Sequence, residues 1–567
     1  MQNNARGFAL EATLFTMLLI SVLIASAFAG VVTVTRTTNM DYRNSRVSYA
    51  AEAGADAIMA QLADMLEDGT LADSELATIA APTLQGFTFG NIQVTKLGGV
   101  AVEAVTDGPF AGLYSLTQRL EIYSQASDPM KNEGAVIVSA KAQAIPIFQF
   151  GIFFDADLEI TNGPPLDFDG WIHTNGNLYL SSNNAYYHNV ITTPNIVVHD
   201  RKDQPLVFNG VEIDDITGTG VVLNFDSRTI PGFNAFKAAS DAAFDNRLMT
   251  NAYGVDSLRV PLPAGMVPRV VVDPRAGGDV QLVRDAKFAW KADWYMVVDL
   301  AALGAWGNVC GTAVIVRDGG EPVPTAAECA NIFSWTWERF VDGREGVWTD
   351  VLDVDLAQFF AWVAANPAGQ SDIMYFTFTN VAGANDPWGD GVFPIVRLRN
   401  GTTLGNPISF STDRPLYVWG NFNSDVPNWV PAAVVGDAVT WLSTAWVDGP
   451  WPGPHTTPGA FVATGAGPTA FYGAVLAGHS ATPWDYFDTG INAPYGGGVE
   501  NYPRFLENWA GVTSTYYGSL VSLYTSQFAA IGTWGGGYYS PPARDWHFDM
   551  RFENPDDLPG FTTDLNR

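Results

Sequence analysis

The stretch "DFDGWIHTNGNLYL" at 167–180 places two carboxylates, a histidine and two asparagines among short apolar runs. It allows two interpretations: a catalytic or metal site, or the turn chemistry of a stacked β structure. Asp167 and Asp169 favour turns, Asn175-Gly176 is a strong turn signal, and His173 fits between strands as a hydrogen-bonded core residue. We therefore interpret the stretch as short strands joined by tight turns.

The same format recurs further along the chain. Short apolar runs flanked by Gly, Asn or Ser are "PLYVWGNFN" (415–423), "AAVVGDAVTWLS" (432–443), "AFYGAVLAGH" (470–479) and "GSLVSLYTSQF" (518–528). Asn and Gly accept left-handed turns, and stacked turns can align side-chain amides into ladders. This pattern of short strands and turns predicts a mainly β body. We expect the body to be an irregular β-solenoid that resembles a β-helix. A β-sandwich is the alternative.

The length and composition indicate several domains. The chain has 567 residues, with 56 Gly, 34 Pro and 13% aromatic residues, which favours short strands and tight turns. Helical periodicity after the amino-terminal region appears at 232–249 and 353–367. We expect a leader peptide at 1–7, a long helix at 8–68, a small β module at 69–147, and a β-rich body at 148–567 with an α+β insertion at about 225–400.

The net charge and the cysteines restrict the partners and the compartment. A formal charge of -30 repels phosphate backbones, so we expect no nucleic acid partner. Cys310 and Cys329 are the two cysteines of the chain. In an exported protein we expect them to form a disulfide, and two unpaired buried thiols are the alternative.

The amino-terminal region contains a membrane-spanning pattern. Residues 12–35 carry no charge, and these 24 residues are long enough to span a bilayer as a helix. "AFA" at 27–29 could instead be a signal-peptidase site, although the apolar run continues beyond it. At 47–65 apolar and small residues recur at spacings of three and four, which predicts a continuing helix with a closely packing face.

The segment "RGFALEATLF" at 6–15 resembles the signal of type IV pilins and pseudopilins. The resemblance implies that prepilin peptidase cuts after Gly7 and methylates Phe8, and that Glu11 serves assembly. Major pilins have this glutamate fifth in the mature chain, whereas Glu11 would be fourth. The region that follows resembles PilX-type minor pilins. The implied partners are other pilins, prepilin peptidase and the inner membrane.

The body also resembles a family. "HTNGNLYL", "STDRPLYVWGNFN", "VENYPRFLENW" and "YYSPPARDWHFD", in this order, are similar to segments of an uncharacterised family of bacterial proteins with pilin-like leaders. This resemblance implies a cell-envelope protein and supplies no activity and no catalytic residues.

Few residue patterns indicate chemistry. The six histidines form no ligand pair, and the sequence has no nucleophile elbow and no phosphate loop. Asp155, Asp157, Asp167 and Asp169 are spaced so that each pair could bind calcium, or could act as acid and base on a saccharide. The abundant tryptophans and tyrosines could form an adhesive face for a glycan or another surface ligand, with buried packing as the alternative. We predict no catalytic residues, no enzyme activity and no required cofactor.

The sequence therefore predicts a minor pilin-like protein of a type IV pilus or pseudopilus. Its helix would anchor it in the inner membrane before assembly, and its body would lie outside the cytoplasm, on a pilus or at the cell surface, in a structural or adhesive role. The alternatives are a secreted or tethered hydrolase acting on polysaccharide and a passive envelope scaffold.

Overall fold

The computed structural model describes residues 5–66, 71–263, 265–304, 308–317, 320–387, 391–449, 464–530, 538–560 and 564–566, with side chains described from 13 to 560. The chain forms two compact units. The first consists of Met1–Leu66, Thr70–Ala101 and Thr117–Ala142, and the second of Glu67–Gly69, Val102–Leu116 and Gln143–Arg567. The boundaries at 7, 68 and 147 remain predictions.

The first unit is built on one long helix, α1 (Ala5–Met65), which is followed by the short helix α2 (Asp73–Leu76). Three long strands, β1 (Thr88–Ala104), β2 (Tyr114–Ser127) and β3 (Glu133–Pro146), form a sheet in that order. The carboxyl-terminal half of α1 packs on this sheet through Val47, Ala51, Ala55, Ile58 and Leu62, as the small and apolar periodicity predicts.

The amino-terminal half of α1 is uncovered. By length and composition, Thr13–Met65 contains a stretch that could cross a membrane, and none of that stretch is buried. A signal sequence near the amino terminus would pass the same test. The exposed large apolar side chains of this half include Leu14, Phe15, Met17, Leu18, Val22, Leu23, Ile24, Phe28, Val31 and Val34.

The second unit begins with short strands at regular intervals. They are β4 (Ile152–Phe154), β5 (Leu158–Ile160), β6 (Leu166–Phe168), β7 (Ile172–Thr174), β8 (Leu178–Leu180), β9 (Ser182–Tyr187), β10 (Ile191–Thr192), β11 (Val197–Val198), β12 (Asn209–Asp214) and β13 (Gly220–Val222). Ile152 pairs with Ile172 and Ile172 with Ile191, in parallel register. The stretch 167–180 therefore supplies strands to three different sheets.

Helices and strands alternate in the next segment. They are α3 (Phe233–Phe244), β14 (Leu248–Met249), α4 (Gln281–Ala286), α5 (Phe288–Lys291), β15 (Trp294–Asp299), α6 (Val309–Thr312), β16 (Val314–Val316), α7 (Ala326–Ile332), β17 (Phe333–Asp342), β18 (Val347–Asp355), α8 (Leu356–Ala365), β19 (Ile373–Thr379) and β20 (Pro394–Gly401). Helix α7 begins at a capping box formed by Thr325 and Glu328.

The last segment is again rich in short strands. They are β21 (Ile408–Thr412), β22 (Leu416–Phe422), β23 (Ala432–Gly436), β24 (Val439–Leu442), β25 (Thr469–Tyr472), β26 (Ala474–Gly478), β27 (Arg504–Phe505), β28 (Thr513–Gly518), β29 (Leu520–Tyr524), β30 (Ala543–Phe548) and β31 (Asp564–Asn566), with helix α9 (Tyr486–Thr489) between β26 and β27.

These strands form several largely parallel sheets. The largest has the order β14-β10-β7-β4-β29-β26-β23-β21-β19-β15-β16, and the next has β17-β18-β20-β22-β25-β28-β30 with β24 beside β22 and β27 beside β24. The orders β11-β8-β5 and β13-β12-β9-β6 complete the set. Antiparallel pairs include β12 with β13, β15 with β16, β17 with β18, and β3 with β31.

This topology corrects the expected fold class of the body. Parallel neighbours need long crossover connections, and several of these contain helices, so the body is mixed α/β rather than mainly β. In a simple solenoid each coil lies beside the coil that precedes it in the chain. Here β4 pairs with β29, which is far away in sequence. The described residues therefore form sheets rather than a solenoid. The parallel pairing also differs from the antiparallel sheets of a β-sandwich.

Candidate ligand-binding face

The outer surface of five neighbouring strands carries acids, histidines and tyrosines. Strand β28 pairs with β30, β6 lies beside β30, and β9 and β12 follow β6. Side chains alternate across each strand, so Trp546 and Phe548 point into the core while Asp545 and His547 stay at the surface. We call the acidic, histidine and tyrosine side chains on the outer side of these strands, together with Asp169 and His188 directly after β6 and β9, the acid–aromatic face.

One part of this face is centred on His188. Its Nε2 lies 2.7 Å from Asp167 Oδ1, and its Nδ1 lies 2.9 Å from Asp214 Oδ2. Burial opposes the charged imidazolium, but the hydrogen bonds to Asp214 and Asp167 outweigh burial and raise the pKa of His188. The histidine therefore links β6, β9 and β12 as a charge-assisted bridge.

The other part is centred on His547. Its Nε2 lies 3.1 Å from Asp545 Oδ1, and its Nδ1 lies 3.4 Å from Asp169 Oδ2. The ring of Tyr517 stacks on His547 with the ring centroids 4.9 Å apart, and Tyr472 contacts Tyr517 edge-on at 5.0 Å. Burial and the nearby Asp545 raise the pKa of Tyr517, so this ring remains a neutral phenol.

The combination of flat rings and carboxylates suits two kinds of ligand. A sugar ring can lie against a tyrosine face while its hydroxyls donate to carboxylates, and a cationic group is attracted by both. Asp167 and Asp545 are exposed at the surface, whereas Asp214 is buried, so the first two are the carboxylates that a ligand can reach directly. The arrangement can therefore bind a polar ligand by its surface.

The four calcium candidates do not form one site. Asp155 accepts from the Asn175 amide at 2.7 Å, Asp157 accepts from the Asn177 N–H at 2.8 Å, and Asp169 accepts from the Phe548 N–H at 2.9 Å. Asp167 is held by His188. Each carboxylate is thus engaged by a nitrogen, and in the described part of the chain no three His, Cys, Asp or Glu side chains gather around a metal position.

The remaining predicted site residues lie elsewhere. Cys310 and Cys329 form a disulfide with their Cα atoms 5.8 Å apart. The backbone of Gly7, Phe8 and Glu11 belongs to α1, but their side chains lie outside the described residues, so their roles remain predictions.

Sequence reasoning did not find the acid–aromatic face as a unit. His188, Asp214 and Tyr517 come from strands far apart in the chain, and no local motif joins them. A signal was present in "RDWHFD" at 544–549, where polar and aromatic residues alternate with period two. His173, by contrast, lies buried as expected, with its ring nitrogens bonded to Thr192 and Asn175.

Comparisons with protein-family models, with curated proteins and with solved structures find no significant match. The class of the protein therefore rests on its architecture. A long apolar amino-terminal helix packs in part against a β-sheet and precedes a β-rich body, an arrangement consistent with pilin-like proteins. The apolar helix and the disulfide are typical of an extracytoplasmic protein of the cell envelope.

Proposed function

We propose that the protein is a minor pilin-like subunit associated with a type IV pilus or a secretion pseudopilus. It would be anchored in the inner membrane before assembly and would display its large body outside the filament or at its tip, in a non-enzymatic role. Its partners would be other pilins and prepilin peptidase.

The division of α1 into two halves carries this proposal. The amino-terminal half leaves a dense set of large apolar side chains uncovered, while the carboxyl-terminal half is fixed to its own sheet. An uncovered apolar helix needs either a bilayer or other helices around it. A subunit that passes from a membrane into a helical filament core meets both environments in turn.

The packed half keeps the exposed half attached to a rigid base. A Cβ atom placed on Gly54 would lie 2.4 Å from a ring carbon of Phe89, so the helix approaches the sheet as closely as glycine allows. Such close contact transmits load from helix to sheet with little movement. This property suits a filament subunit under tension.

The acid–aromatic face supports the adhesive part of the proposal. It lies on the rigid outer side of parallel strands and offers Tyr517, Asp545 and Asp167 to solvent. We propose that it binds a glycan or another polar surface ligand, since a ring paired with carboxylates is a common arrangement for such ligands.

The mass of the mature amino-terminal peptide tests the pilin pathway. The protein would be purified from cells with and without prepilin peptidase. We expect a peptidase-dependent start at Phe8 with one added methyl group. A start at Gly30, or an intact Met1 in both strains, would contradict the proposal. Co-purification of other pilins would then separate a filament subunit from a tethered scaffold.

A further inference from the structure

Lys202 is held in a nearly closed environment in the second unit. Its side chain is 8% exposed, and its Nζ lies 3.0 Å from Oδ2 of Asp157. The same Nζ donates to the carbonyl oxygen of Thr482 at 2.8 Å. Asp157 is also fixed from the other side, because its Oδ1 accepts from the Asn177 N–H at 2.8 Å. An amine and a carboxyl group are thus kept in contact by hydrogen bonds that orient both.

A second carboxyl group stands beside this pair. Glu159 lies on β5, two residues after Asp157, and is 2% exposed. Its Oε2 accepts from the Thr482 hydroxyl at 3.0 Å, so Glu159 and Lys202 both bind Thr482. Burial raises the pKa of Glu159 to about 7 against the attraction of Lys202 and the hydrogen bonds from Thr482, and the nearby Glu500 acts in the same direction as burial. Near neutral pH this carboxyl can accept a proton as readily as it can release one.

We propose that Lys202 and Asp157 condense into an intramolecular amide bond, with Glu159 as the proton carrier. This inference is independent of the pilin-like function. The cluster contains an amine in contact with a carboxyl group, and a buried acid that shares Thr482 with the amine, which are the three components that such a condensation needs.

The step balances without an oxidant or a co-reactant. Carboxylate Glu159 takes one proton from the Lys202 ammonium, and the neutral nitrogen attacks Cγ of Asp157. A bond forms between Nζ and Cγ, and the bond between Cγ and one carboxyl oxygen breaks. That oxygen leaves as water, carrying the proton returned by Glu159 and a second one from the nitrogen. The ion pair is replaced by an amide and one water molecule.

Another buried ion pair provides a matched comparison. Lys287 Nζ lies 2.8 Å from Asp279 Oδ2, and the two side chains are 4% and 10% exposed, against 8% for Lys202 and 26% for Asp157. Asp279 also accepts from the Trp290 indole at 2.7 Å. Burial opposes the ionised form, but the hydrogen bonds from Lys287 and Trp290 outweigh it and lower the pKa of Asp279. We expect this carboxylate to stay ionised and the pair to remain a salt bridge.

The test is peptide mass spectrometry of the full-length protein after denaturation and proteolysis. We expect the peptides that contain Asp157 and Lys202 to be joined, and one water lighter than their sum. Lys202→Arg abolishes the link, and Lys287→Arg leaves it unchanged. In Asp157→Asn the same amide forms with loss of ammonia instead of water, so the joined peptide has the wild-type mass.

The role of Glu159 has its own readout. In protein isolated unfolded from inclusion bodies, before any link has formed, and then refolded, Glu159→Gln slows formation of the link at least tenfold, and the wild-type rate depends on pH through a group of pKa about 7. Circular dichroism confirms that the variant folds. Separate peptides of full mass in the folded wild-type protein would overturn the proposal, and an unchanged rate in Glu159→Gln would overturn the role of the acid.

Discussion

Glu507 gives a sharp test of the electrostatics inside the body. It follows β27, is fully buried, and accepts from the N–H and the hydroxyl of Ser443, each at 2.6 Å. The Ser443 hydroxyl oxygen itself accepts from the N–H groups of Ala445 and Gly467. Its proton is therefore directed at Glu507. Burial nonetheless outweighs these hydrogen bonds and raises the pKa of Glu507 from 4.5 to about 7.

The sign and size of the effect on stability follow from this pKa. Between pH 4.5 and about 7 the folded protein keeps a proton on Glu507 that the unfolded chain has released. The stabilisation by this bound proton is complete below pH 4.5 and is lost as the pH rises through about 7, the pKa of Glu507 in the folded protein. A separation of about 2.5 pH units corresponds to about 3 kcal/mol of unfolding free energy.

Urea unfolding followed by tryptophan fluorescence, from about pH 4 to about pH 8, measures this contribution. Glu507→Gln cannot titrate, so the stability of the wild type relative to this variant should fall by about 3 kcal/mol across the range. Asp256→Asn, at an exposed position, should give a curve parallel to that of the wild type. Parallel curves for the wild type and Glu507→Gln would refute the reasoning, whatever the absolute stability of the variant.

Three further outcomes are expected. Gly54→Leu should lower the melting temperature in detergent, because overpacking at this position costs about 3 kcal/mol. Gly30→Leu should not lower it, because no atom lies within 4 Å of the Cβ position at Gly30. Equal effects of the two substitutions would exclude close packing at Gly54. Cys310→Ser should cost about 3 kcal/mol and make the protein insensitive to reductant, and a reductant effect that persists would contradict this. Tyr517→Ala should weaken retention on a glycan array about fivefold relative to Tyr49→Ala, and equal retention would remove the adhesive role of the face.

The sequence predicted the local elements well where one pattern extends over many residues. The apolar run at 12–35 and the periodic small residues around Gly54 predicted α1 and its packed face, because helical spacing is visible within one element. Around Asn175 and Gly176 the turn chemistry likewise predicted short strands on either side, and β7 and β8 occur there.

Pairing between distant strands was not predictable in this way. The sequence of a strand of three to six residues does not indicate which other strand pairs with it. A parallel partner can follow in the chain after crossover connections of very different lengths. The bridge from Asp167 through His188 to Asp214 therefore could not be read from any of the three segments. The mixed α/β class was missed for the same reason, since the helices lie within crossovers that only the topology defines.

The position of β4 in the largest sheet determines when the fold can be completed. Strand β4 lies between β7, which follows it closely, and β29, and the Ser519 hydroxyl binds the Phe150 carbonyl across 369 residues of sequence. Because a chain is synthesised amino end first, one edge of β4 stays open until β29 has been synthesised. An open edge can pair with another chain and aggregate. The pairing of β4 with β29 therefore forms late in synthesis, and a chain truncated before 520 would expose an edge of β4 in the middle of the largest sheet rather than lose a strand at one end.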